Sequence, residues 1–118
     1  MKKKVFTAIG LMSGTSMDGV DLSLIKSDGE GKFTSILDDY SEFNDDLQDN
    51  LINLKNRIFA FEDLSKYAKE LNLLEKELTL FHGKVLEKVL KGIENKVDLI
   101  GFHGQTIFHN SKKKYQNN

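Results

Sequence analysis

The 118-residue chain contains no cysteine, no proline and no tryptophan. Without cysteine there is neither a disulfide framework nor a thiolate metal site, and a reducing compartment is in keeping with that. Ordinary proline usage of about 5% would place roughly six in a chain of this length. Arg57 is the single arginine among 17 basic residues. Together these read as a compositional bias of the gene rather than a functional signal. Long apolar runs are also missing: none approaches the roughly 20 residues of a membrane span. Lys2-Lys3-Lys4 has the charge of a signal-peptide n-region. The apolar stretch that follows, residues 5–12, is short and interrupted by Thr7 and Gly10, and residues 13–18 are polar, so a cytoplasmic start is expected. Nor is there an excess of either charge. Seventeen Lys and Arg against 18 Asp and Glu leave a net charge of -1, which gives no global attraction to nucleic acid or to a membrane surface.

What is present suits one soluble globular domain with one core: 39% hydrophobic and 30% charged residues. Residues 5–10 are short, apolar and β-branched, the pattern of a buried strand. Residues 13–19 are turn chemistry, and residues 20–25 alternate apolar with polar as a half-buried strand does. A second turn at 27–31 leads to a third strand, 33–43, expected to fade at Asp38 and Asp39. These form a three-stranded antiparallel meander. Leu47, Leu51, Leu54, Ile58 and Phe61 then step at helical spacing, with Asn44 as cap and Asp45 and Asp46 in the favoured first turn. Leu64, Tyr67, Leu71, Leu74, Leu78, Phe81, Val85 and Val89 predict a second helix, with Lys88 and Lys91 near its end and Gly92 past it. Residues 97–102 read as a strand that returns after a helical crossover and pairs in parallel with the first sheet. Neither stripe sustains a coiled coil. Residues 110–118 form a polar tail, read as disordered or as a truncation scar, in which Lys112-Lys113-Lys114 is a solvated run rather than a nucleic-acid patch.

Two segments carry chemistry. In the first, Ser13-Gly14-Thr15-Ser16-Met17-Asp18-Gly19, glycines let the backbone approach an anion and consecutive N–H groups can form a concave donor nest. The hydroxyls of Ser13, Thr15 and Ser16 add donors. Asp18 or Asp21 offers the oxygen ligand a Mg²⁺ ion prefers. No Gly-Lys-Ser/Thr follows, so this is not a Walker loop. The same residues also suit a polar turn with no ligand. In the second segment, His103, Gln105 and Thr106 lie beside Gly104 at a strand end, where ligands of open α/β sheets sit. His103 reads equally as a structural histidine. A metal site on His103 and His109 lacks a complete ligand set. His82, inside the second helix, reads as structural.

The run Gly10-Leu11-Met12-Ser13-Gly14-Thr15-Ser16-Met17-Asp18-Gly19-Val20-Asp21 resembles the opening signature of the anhydro-N-acetylmuramic acid kinases. Gly101-Phe102-His103-Gly104-Gln105-Thr106 is similar to that family's second N-terminal signature. The resemblance covers roughly residues 5–109 and implies an α/β fold, part of the N-terminal lobe of an actin-like ATPase. It implies that Gly14, Thr15, Ser16, Met17, Asp18, Gly19, Val20 and Asp21 contact ATP. Asp18 is then the Mg²⁺ residue, and His103, Gln105 and Thr106 face an amino-sugar substrate. The implied reaction is ATP-dependent phosphorylation of 1,6-anhydro-N-acetylmuramic acid with hydrolytic opening of its ring, in cytoplasmic peptidoglycan recycling. Homodimerisation of the full-length protein is a further expectation. The family's general base belongs to an Asp-Thr-Gly-Pro motif that this sequence lacks, so no catalytic residue is assigned here and the chain is expected to be a truncated, inactive piece. A non-catalytic nucleotide-binding remnant, or another sugar kinase of the actin-like fold, remains the alternative. Generic members of that fold carry an Asp-x-Gly-Thr-type hairpin instead.

Overall fold

The computed structural model describes residues 4–14 and 16–108. Thr15, His109 and the tail 110–118 lie outside the described residues. The elements run β1 (Phe6–Met12), β2 (Gly19–Ser27), β3 (Phe33–Glu42), α1 (Asp45–Arg57), α2 (Asp63–Lys66), α3 (Ala68–Gly92) and β4 (Leu99–Phe102). They build one four-stranded sheet of order β3-β2-β1-β4. β1, β2 and β3 are antiparallel neighbours, and β4 pairs with β1 in parallel, as the crossover predicts.

Alternation along the strands decides which face is buried. Thr7, Ile9 and Leu11 of β1 and Val20, Leu22 and Leu24 of β2 point one way, and all six are buried. They meet Leu47, Leu51 and Leu54 of α1 and Leu74, Leu78, Val85 and Val89 of α3 in a single core. Register carries this face across the sheet: Ile9 lies opposite Leu24, and Leu11 opposite Leu22. Gly10, Met12 and Asp21 are exposed on the other face, which no element covers among the described residues.

β3 does not fade at Asp38 and Asp39. It is an edge strand with solvated side chains, so charge costs it little, and Asp38 accepts hydrogen bonds from Ser23 Oγ (2.7 Å) and Ser35 Oγ (3.3 Å). A bulge at Leu24/Ile25 shifts its register by one residue. β4 starts at Leu99 rather than at 97 because Asp98 closes the approach. Its N–H donates to Thr7 O (2.8 Å), and its carboxylate accepts the Thr7 N–H (2.9 Å). β4 is the other edge, and Leu99, Ile100 and Phe102 are all exposed on it.

The helices depart from the sequence reading at three points. Asn44 caps α1 as expected, its Oδ1 accepting the Leu47 N–H at 2.8 Å. The apolar stripe, however, stops at Ile58, and Phe61 is exposed in a turn. The reason is Asp63, whose carboxylate accepts the N–H groups of Phe59 (2.8 Å) and Ala60 (3.1 Å). These bonds give the backbone an alternative to continuing the helix. The second stripe is not one helix either. α2 is a single turn whose direction follows from that Asp63-bonded turn, whereas the axis of α3 follows from burial of Leu74 to Val89. The two meet at Tyr67, which leaves helical geometry (φ -105°, ψ 22°). Its ring lies 5.0 Å from the Arg57 guanidinium, which also pairs with Glu70 on α3. Gly92 is the last helical residue rather than the one beyond it, and Ile93 is already extended.

Candidate functional site

The β1–β2 hairpin and the segment after β4 lie at one end of the sheet, because β1 and β4 are adjacent and parallel. Three hydrogen bonds join segments 91 or 92 residues apart in the chain. The His103 N–H donates to Leu11 O (3.1 Å), extending the β1–β4 ladder. Ser13, itself buried, donates Oγ–H to Gly104 O (3.2 Å). Gln105 donates Nε2–H to Gly14 O (2.8 Å). The two signatures read from the sequence are therefore one structural unit.

Within the hairpin, the Met17 N–H donates to Gly14 O (3.2 Å) and closes the turn. Met17 adopts a positive φ of 57°, which side chains other than glycine seldom take. Its side chain is buried in the core and anchors the turn from below. Val20 is buried in the same way, so Met17 and Val20 have only their backbones to offer a ligand. Gly19 is required by space. A Cβ there would stand 2.4 Å from Ser41 O and 2.7 Å from the Tyr40 hydroxyl.

Asp18 and Asp21 are both exposed. The Asp18 carboxylate accepts a hydrogen bond from Ser16 Oγ (2.8 Å), and its backbone carbonyl accepts the Phe43 N–H (2.9 Å). Hydrogen bonds from Ser16 and then from the Tyr40 hydroxyl hold the Asp18 carboxyl below its ordinary range. Tyr40 is raised in turn, first by partial desolvation and then by its bond to Asp18. Asp18 is thus a preoriented, ionised oxygen donor at neutral pH. Asp21 lies opposite both Met12 and Tyr40 in register. No cluster of three or more metal-ligating side chains exists among the described residues, so Asp18 stands without a preformed cage.

His103 is exposed, its Nδ1 lying 3.3 Å from Gly104 O. Gly104 takes a φ of 84°, which suits glycine and lets the chain turn there. Gln105 spends its amide N–H groups on Gly14 O and Thr106 O (3.2 Å), and its Oε1 is buried without a partner. Thr106 is half-buried. A cavity of about 560 Å³ opens between α1, α3 and this segment, with leucines on one wall and His103 and Gln105 on the other. A shallower depression on the uncovered sheet face is bordered by Gly10, Met12, Asp21, Ser23 and His103. His103 therefore borders both.

Three residues support the site through contacts that the sequence alone does not show. Tyr40 reaches Asp18 from β3, the strand next to β2, and only the β2–β3 register reveals it. Ser13 has the type of a ligand donor in the sequence, but its hydroxyl is committed to Gly104 O. His82, structural in the sequence reading, is buried, with Nδ1 2.8 Å from Leu78 O. Its ring stands edge-on to Phe102 at 4.6 Å, so it also braces the strand end that carries His103.

Comparison with known proteins adds a family. The description of one family, anhydro-N-acetylmuramic acid kinase, matches residues 6–118. A protein of that name from Pelagibacter ubique (strain HTCC1062) is 47% identical over 112 residues, 95% of this chain and 30% of the relative. One from Brucella canis is 40% identical over 109 residues, 86% of this chain and 28% of the relative. One from Rhizobium etli is 38% identical over 108 residues, 89% of this chain and 29% of the relative. The chain thus spans less than a third of the length of the curated relatives it matches.

Proposed function

The chain belongs to the anhydro-N-acetylmuramic acid kinase family, and from that premise we propose that it forms the phosphate-binding half of an ATP-dependent amino-sugar kinase site, in the N-terminal lobe of an actin-like fold. The carrying observation is the joining of the hairpin and the His103–Thr106 segment by the Ser13–Gly104 and Gln105–Gly14 hydrogen bonds. That union sets a nucleotide-facing loop beside a sugar-facing one, as transfer between two bound substrates requires.

In this reading the backbones of Gly14, Ser16, Gly19 and Val20 offer N–H donors and close approach to the ATP phosphates, while Met17, whose N–H is held by Gly14 O, offers close approach alone. Asp18 supplies the oxygen ligand for Mg²⁺, and the Ser16 and Tyr40 hydroxyls that lower its pKa hold the carboxylate in place. An exposed hard oxygen donor beside a glycine-flanked turn fits a hydrated Mg²⁺, which keeps several of its waters. Asp21, on the same side of the sheet, acts through that hydration shell. Mg·ATP brings the transferable phosphoryl group and the charge neutralisation that phosphoryl transfer needs. His103 orients the sugar at the mouth of the cavity described above, Gln105 offers it only the acceptor Oε1, and Thr106 lies next to them in the same segment.

The reaction proposed for the whole protein transfers phosphate to the sugar's 6-oxygen while water opens the 1,6-anhydro bridge. N-acetylmuramic acid 6-phosphate is the product, and the setting is cytoplasmic peptidoglycan recycling. A base must activate the water, and this sequence contains no Asp-Thr-Gly-Pro motif to provide it. The 118-residue chain alone is accordingly a half-site without turnover, and homodimerisation is proposed for the full-length protein. No helix among the described residues is long and apolar enough to cross a membrane. Fluorescence or calorimetric titration with ATP, with and without Mg²⁺, tests the reading: weak Mg²⁺-dependent binding without consumption of ATP and anhydro-sugar is expected. Turnover by the isolated chain would overturn the half-site assignment, and absence of all binding would favour a non-catalytic remnant.

A further inference from the structure

The hairpin tip is held at three points, and two of them belong to the distant segment. Met17 anchors it in the core. Ser13 Oγ–H is tied to Gly104 O. The third point is the Gly14 carbonyl, which accepts both the Met17 N–H that closes the turn (3.2 Å) and the Gln105 Nε2–H (2.8 Å). The turn includes Met17 at φ 57°. A non-glycine residue persists there only where surrounding groups over-determine its geometry. The orientation of the Gln105 amide is itself determined, because both neighbours of its nitrogen, Gly14 O and Thr106 O, are carbonyls that accept only.

We propose that Gln105 is a positioning residue, which fixes the phosphate hairpin through the Gly14 carbonyl instead of meeting a ligand through its own amide nitrogen. The word phosphate rests on the function proposed above; the mechanical claim does not. Gln105 has no N–H left for a sugar, and its one uncommitted atom, the buried Oε1, accepts only. The shape of the nucleotide-facing loop is therefore set from the sugar-facing loop. Ordering either one orders the other.

The test is backbone amide hydrogen exchange, followed by NMR on the 118-residue chain without ligand. Gln105→Glu keeps the length and shape of the side chain but presents only acceptors to Gly14 O at neutral pH. The Met17 and Asp18 amides are expected to exchange about tenfold faster, the ratio that loss of one hydrogen bond of roughly 1.4 kcal/mol gives. The Leu22 and Leu24 amides, in the β2 ladders, are expected to stay as in the parent. A pH profile separates positioning from simple packing. Below about pH 4.3, the ordinary glutamate value, the variant's carboxyl regains an O–H donor, and the variant-to-parent ratio should fall toward one. Asp18, the carboxyl on the hairpin itself, is present in both proteins and cancels in that ratio. If Gln105→Glu fails to fold, Gln105→Asn serves: it keeps the amide but is one methylene too short, and the same local loosening is expected. Unchanged hairpin exchange overturns the proposal. So does an equal rise in the hairpin and β2, which would mean global destabilisation only. Because no nucleotide is present, failure of Mg·ATP to bind would count against the proposed function and leave this result standing.

Discussion

Gly19 and Gly83 make a paired test in which one substitution has opposite signs. At Gly19 an added methyl would sit 2.4 Å from Ser41 O and 2.7 Å from both the Tyr40 ring carbon and its hydroxyl. An unstrained C···O contact is about 3.3–3.6 Å, so the strands must part by roughly 1 Å. Tyr40 can swing aside, but Ser41 O belongs to the backbone of β3, next to the Gly19–Glu42 pair. Overpacking of this kind costs about 1–3 kcal/mol, and a disturbed ladder bond adds about 1 kcal/mol. Gly19→Ala should therefore cost about 2–4 kcal/mol. At a urea slope of roughly 2 kcal/mol per molar, the unfolding midpoint falls by about 1–2 M. At Gly83, on the exposed face of α3, a Cβ meets nothing within 4 Å. Replacing a mid-helix glycine there should stabilise by about 0.5–1 kcal/mol and raise the midpoint by roughly 0.3–0.5 M. Circular dichroism during urea titration measures both. A Gly19→Ala midpoint within about 0.3 M of the parent, given the same urea slope, would refute the close β2–β3 approach.

Two further outcomes follow from the same geometry. Tyr40→Phe removes the second-largest cause of the depressed Asp18 pKa, so the carboxyl midpoint followed by ¹³C NMR should rise toward the ordinary aspartate value while Ser16 keeps it below. The sign is fixed: a depressed carboxyl stabilises the fold above its ordinary range, and that contribution fades as pH falls through the folded value. An unmoved midpoint would remove Tyr40 from the site. Leu54, fully buried in α1, should lose about 2–5 kcal/mol on Leu54→Ala by urea unfolding. A loss under about 1 kcal/mol would show that the α1–α3 wall collapses to fill the gap.

Much of this fold is legible in the residues, and what is hidden has physical causes. An apolar, β-branched run announces β1, although only one of its faces is buried, period-two alternation announces β2, and Asn44 with Asp45 and Asp46 announces the start of α1. The parallel pairing of β4 follows from the crossover. Phe61 and Tyr67 mislead because periodicity registers apolar spacing but not the Asp63 carboxylate, which diverts the backbone N–H groups of Phe59 and Ala60. The charges at Asp38 and Asp39 suggest a fading strand only if β3 is assumed to be half-buried; on an edge they are solvated. In the site, residue types reveal the glycines, hydroxyls and carboxylates of both segments. They do not reveal which of these are committed to each other. Ser13 and Gln105 look like ligand donors in sequence and serve in the structure as ties between the two segments. Tyr40 carries no local signal, since its partner lies across a strand pairing.

The central claim, that residues 14–21 hold the phosphates of Mg·ATP, is tested most directly by ¹H–¹⁵N NMR titration of the 118-residue chain with ATP and Mg²⁺. The account predicts shifts centred on the amides of Gly14, Ser16, Asp18 and Gly19, smaller ones at His103 to Gln105, and loss of the Mg²⁺-dependent part in Asp18→Asn. Shifts centred on the α1–α3 surface, or none at millimolar nucleotide, would contradict it.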